Sequence, residues 1–163
     1  MNKGYTLIEI LFYISIFAIF SIVVINSMIT MTRSFKETAI QAELKQGEDI
    51  LKKIAQEIRS AYRIDEISAS ALEIETLDED GDERDVDFLL FGTDVRFLER
   101  DIFIGNLNSP NLEVTGLSFT EVETINSAAI KISVSVKSKR DTQNRVVNFY
   151  DTVILRGSYW YSE

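Results

Sequence analysis

The 163-residue chain has no cysteine and no histidine, a single proline and seven glycines. Without cysteine there are no disulfides and no thiol nucleophile, and without histidine as well the usual zinc sites and imidazole acid–base chemistry are excluded. Basic residues are also scarce, 17 against 26 acidic, for a formal charge of −9. Phosphate neutralisation needs clustered Lys and Arg, so this balance argues against a nucleic-acid partner. No Gly-rich phosphate loop appears and no carboxylate pair stands out as catalytic, so the chain reads as a non-enzyme that needs no cofactor. Its length fits a domain with room for a real core.

What is present is unevenly spread. Between Tyr5 and Thr32 the only charge is Glu9, and Ile10 to Ile25 carries none. The 21 residues Tyr5 to Ile25 would span roughly 31 Å as a helix, the thickness of a bilayer core. No Pro or Gly interrupts the run, and hydroxyls at Ser15 and Ser21 can bond back to their own helix. A cleaved secretory signal would have a shorter apolar run and a small-residue cleavage site, whereas Asn26-Ser27-Met28-Ile29 follows this one. A plain membrane anchor fits the length but leaves Glu9 unexplained. A carboxylate near a membrane centre costs roughly 2.5–3.5 kcal/mol, and an acid retained there suggests a function.

The segment Lys3-Gly4-Tyr5-Thr6-Leu7-Ile8-Glu9 resembles the processing site of type IV prepilins and pseudopilins. In those proteins a Gly precedes an aromatic residue and a Thr-Leu-x-Glu run, with an apolar helix directly behind. The resemblance implies that a membrane-embedded prepilin peptidase cuts between Gly4 and Tyr5 and that Tyr5 is then N-methylated. It also implies that Glu9 pairs with the amine of a neighbouring subunit during assembly. Two features depart from the commonest pattern: Tyr stands where Phe is usual, and the leader is four residues long. The partners implied are other pilin or pseudopilin subunits, the peptidase, an inner-membrane assembly platform and membrane lipid.

Past Thr32 the composition turns polar while helical periodicity continues. Apolar residues recur at Phe35, Ile40, Leu44, Leu51, Ile54, Ile58 and Tyr62. Charged residues between them, Glu43 and Glu57 included, read as a solvated face with ion pairs three or four residues apart. Gly47 reads as the one weak point, about 1 kcal/mol worse than Ala. Tyr5 to Tyr62 is 58 residues, roughly 87 Å as one helix. The heptad spacing is not sustained, which argues against a coiled-coil stalk.

From Asp65 the period changes to two. Strands are expected at Leu72–Glu75, Val86–Phe91, Val95–Phe103, Glu113–Val122, Ile130–Lys137 and Val146–Leu155. Turn signals at Asp80-Gly81, Gly92-Thr93-Asp94, Asn108 to Asn111 and Asp141 to Asn144 separate them. The expected fold class is therefore α+β, a long N-terminal helix packed on an antiparallel β-sheet head. The expected organisation is a leader (1–4), a membrane and filament-core helix (5–32), an amphipathic helix (33–64) and a β-rich head (65–163). The order of elements in the head also resembles the J-type minor pseudopilins and W-type minor pilins.

Other candidate sites were weighed on their spacing. Asp78, Asp80 and Asp82 form a weak calcium candidate, because the EF-hand register fails with Glu83 where Gly is needed and Leu89 where the bidentate Glu is needed. A solvated hairpin turn explains them more simply. Lys137, Lys139, Arg140 and Arg145 make a basic cluster without interleaved aromatics, read as a solvated hairpin tip. Tyr159-Trp160-Tyr161 reads as aromatics closing a sheet on the helix. The expectation is a minor pilin or pseudopilin subunit of a type IV pilus-like or type II secretion filament, inserted once in the inner membrane with its head outside the cytoplasm. The alternative is a bitopic membrane protein whose binding or adhesion head never polymerises.

Overall fold

The structure, a computed structural model, describes residues 6–78, 81–123 and 128–155. The chain divides into two compact units, Met1–Ala39 and Ile40–Glu163, and the helix α1 (Leu7–Ser60) runs through both. In the first unit α1 carries no charged residue from Ile10 to Thr32. Its hydroxyls are spent on its own backbone: Ser15 and Ser21 donate to the carbonyls of Leu11 and Phe17 at 2.8 Å, and Thr30 to that of Asn26 at 2.9 Å. Ser15 and Ser21 thus behave as their spacing predicts.

The second unit is the head. Eight strands follow α1: β1 (Arg63–Ile67), β2 (Ala71–Leu77), β3 (Glu83–Phe91), β4 (Asp94–Glu99), β5 (Ile102–Asn106), β6 (Leu112–Glu123), β7 (Ala128–Ser138) and β8 (Val146–Ile154). They form a five-stranded sheet in the order β1-β2-β3-β4-β5 and a three-stranded sheet in the order β6-β7-β8, with every neighbouring pair antiparallel. This is the expected α+β class, a helix packed on antiparallel sheets. Ile40, Leu44, Ile50, Ile54 and Ile58 of α1 are buried in one cluster with Ile74, Phe88, Leu112, Ile132 and Val153 of the strands. Alternate strand residues supply the sheet side of that core, as the two-residue period requires.

Among the described residues eight strands stand where six were expected, for two local reasons. The segment Val95–Phe103 is two strands, because Arg100 and Asp101 turn the chain with φ of 52° and 63°. Neither residue is Gly, and only Asp101 is of a type that favours a left-handed turn, so the mark is weak. β1 carries a register shift between Ile64 and Glu66 that breaks its alternation.

Three residues of α1 depart from their expected roles. Glu43 and Glu57 are buried, not solvated. Glu43 accepts the Ser138 hydroxyl at 2.5 Å and pairs with Arg140 at 3.0 Å. Glu57 pairs with Lys53 at 2.6 Å and with Arg84 at 2.7 Å, and Arg84 also holds Glu99. Both carboxylates therefore tie α1 to strands far along the chain, which satisfies charges that would otherwise be costly inside. Gly47 is also buried. It is a point of close approach: a Cβ there would lie 2.5 Å from the Phe149 ring and 3.0 Å from Val136.

Candidate functional site

The candidate site lies at the start of α1. Thr6 caps the helix: its carbonyl accepts the Glu9 N–H at 3.0 Å and the Ile10 N–H at 3.3 Å. Its hydroxyl oxygen lies 3.4 Å from the same Glu9 nitrogen, which satisfies donors a helix start leaves open. The cap places Glu9 in the first turn, where a negative charge is favoured by the helix dipole. Glu9 is exposed, and no cation lies within ion-pair distance of it among the described residues. Around it Leu7, Ile8, Phe12 and Tyr13 are 82%, 77%, 64% and 58% exposed, and large apolar exposure continues to Met31. No soluble surface carries so long an apolar run without a covering phase. The described part of this helix is long and apolar enough to cross a membrane. The two remaining candidates, Gly4 and Tyr5, lie outside the described residues.

Several of the head's charged side chains find partners within the head. Asp78 accepts the Asp82 N–H at 2.9 Å and pairs with Arg100 at 3.1 Å, so it serves the hairpin turn; Asp80 lies outside the described residues. A different trio, Asp65, Glu75 and Asp85, brings its carboxylate oxygens within 4.8 Å of one another. Arg63 already holds two of them, Asp65 at 2.6 Å and Glu75 at 2.5 Å. In the basic cluster, Lys137 is held by Glu113, Arg140 by Glu43 and Arg145 by Asp141. The hairpin-tip reading fits, with those cations engaged in the fold. Tyr159, Trp160 and Tyr161 lie outside the described residues.

Two sets of carboxyls give the head a pH dependence with opposite signs. Arg145 and the Gln143 and Arg145 N–H groups hold Asp141 down at about 2. That contribution is present above the ordinary carboxylate pKa near 4 and is lost as pH falls toward 2. Burial first, then neighbouring acids, push Glu73 and Asp87 up. Their contribution is full below the ordinary carboxylate pKa and is lost as pH rises through the raised folded values. Thermal unfolding followed by circular dichroism should therefore show stability rising as pH drops from 7, then falling in stronger acid. Asp87→Asn should raise the pH 7 value and flatten the first limb.

A capped apolar helix with one acid in its first turn, continuing into an α+β head, is the shape of a protein with a membrane-anchor-competent N-terminus. Residues 1–25 match the family model described as the prokaryotic N-terminal methylation motif. That signature makes the amino terminus similar to those of type IV pilin-like proteins, the kind that prepilin peptidase processes, and supports a pilin-like reading of the chain. No curated protein and no solved structure matches the chain.

Proposed function

We propose that this chain is a minor pilin or pseudopilin, a structural and non-catalytic subunit of a type IV pilus-like or type II secretion filament. The observation that carries the reading is the pairing of the methylation motif with Glu9, the one charge in the apolar stretch of α1. In this reading the peptidase cuts between Gly4 and Tyr5, and Tyr5 becomes the methylated amino terminus. Glu9 waits in the inner membrane for the amine of a neighbouring subunit, with the head outside the cytoplasm. An unpaired carboxylate in lipid is costly, and a cationic partner removes that cost at the moment of assembly.

The minor role is supported by the head's element order, which resembles the J-type pseudopilins and W-type pilins. It is supported also by an apolar stretch without the Pro and Gly that let a helix loosen. Quantitative proteomics of sheared filaments tests the reading. The chain should be present well below the main shaft protein. Dominance in the shaft would make it a major pilin. Absence from filaments, with the anchor intact, would instead make it a bitopic protein with a binding head.

A further inference from the structure

The outer face of the five-stranded sheet carries charges of both signs that the described residues leave unpaired. Along β4, Val95 and Phe97 are buried while Arg96 and Leu98 turn outward, half-buried. The Arg96 guanidinium lies 3.6 Å from the centre of the Phe91 ring and 5.6 Å from that of Phe103. These phenyls are 57% and 54% exposed. Among the described residues no carboxylate lies within ion-pair distance of Arg96. Asp94, the acid two residues away, is taken by the side-chain amides of Asn106 and Asn108. An arginine over an exposed aromatic ring, with no carboxylate partner among the described residues, is the kind of anchor that dominates protein interfaces.

Two residues further along the strands, Glu66, Glu73 and Asp87 stand in one cross-strand row, Glu66 opposite Glu73 and Glu73 opposite Asp87. None of the three has a cation within ion-pair distance among the described residues, whereas in the adjacent row Arg63 stands opposite Glu75 and pairs with it and with Asp65. Like charges set directly opposite one another are destabilising. Burial and repulsion raise Glu73 and Asp87, so an approaching cation would relieve them. Between the two sets lie Leu89, opposite Arg96, and Leu98, opposite Asp87.

We propose that this face docks on the same face of a second copy, Arg96 of each head meeting Glu73 and Asp87 of the other across a centre of Leu89 and Leu98. The choice of a second copy follows from charge complementarity within one patch. A two-fold contact requires a surface that is complementary to itself, and a cation beside unpaired acids on one sheet face provides that. The contact concerns the head alone and does not depend on the filament reading.

Because the chain has no cysteine, a single Leu98→Cys reporter tests this in the full-length protein in detergent micelles. Leu98 lies near the two-fold axis, so a short bismaleimide should join the reporter to its own mate. Arg96→Glu in that background should cut cross-linking about tenfold, as loss of an interface arginine does. Adding Glu73→Arg should restore part of it, because the acid placed at position 96 then meets a cation, with Asp87 still acidic beside it. Sedimentation equilibrium should report the same order, with circular dichroism checking that each variant is folded. The proposal is overturned if Leu98→Cys does not cross-link, if Arg96→Glu leaves the yield unchanged, or if the folded double reversal stays as weak as Arg96→Glu. Cross-linking in membranes only to other proteins would overturn it equally.

Discussion

Glu9→Ala is expected to leave processing and membrane insertion intact while filament incorporation falls by at least about tenfold. The two halves of that result have different physical origins. Insertion responds to total apolarity, and removing the single acid from the apolar stretch makes it easier. In the proposed filament, assembly would depend on a pair between Glu9 and the neighbouring amine, and deleting one partner of a buried pair costs about 3–5 kcal/mol. Glu9→Asp keeps the charge but shortens the reach, so it should fall between wild type and Ala. Immunoblots of membrane and sheared-filament fractions separate the two halves. Normal incorporation of the Ala protein would remove Glu9 from the assembly role.

The second large effect is at Gly47, where helix propensity and packing predict opposite signs. On propensity alone, Gly47→Ala would stabilise α1 by about 1 kcal/mol. A Cβ at this position, however, would meet the Phe149 ring at 2.5 and 2.8 Å. Overpacking of that kind costs about 1–3 kcal/mol, and the ring backs onto the core, which limits its retreat. Gly47→Ala should therefore destabilise the head, and Gly47→Val, with its branched side chain, should lose about 2–3 kcal/mol. Phe149→Leu in the Gly47→Ala background should recover part of the loss by opening the space. Thermal unfolding of the four proteins decides the matter, and a Gly47→Ala protein more stable than wild type would show that propensity wins.

The same position marks how far the sequence could be read. The long helix was legible because the apolar stretch and the later three-and-four spacing are properties of near neighbours. The clean alternation of Ile130–Lys137 identified β7 for the same reason. Gly47, Glu43 and Glu57 were misread because their partners lie far along the chain. Phe149 is set against Gly47 by β8, Ser138 and Arg140 against Glu43, and Arg84 against Glu57. No local pattern carries that information. The Arg100-Asp101 turn escaped because its left-handed backbone is built without Gly, with Asp101 as its one weak signal. Glu9 needed no tertiary partner to be noticed, since a lone acid in an apolar run is visible in the composition itself. Its cap by Thr6 is equally local. The opposed charges on the outer sheet face became visible only once the register of β1 to β4 was known.

Mass spectrometry of the amino terminus of the protein isolated from cells with an active prepilin peptidase tests the central claim most directly. The account predicts a chain beginning at N-methylated Tyr5, with the four residues Met1 to Gly4 removed. A membrane-inserted chain that still begins at Met1 in those cells would contradict it.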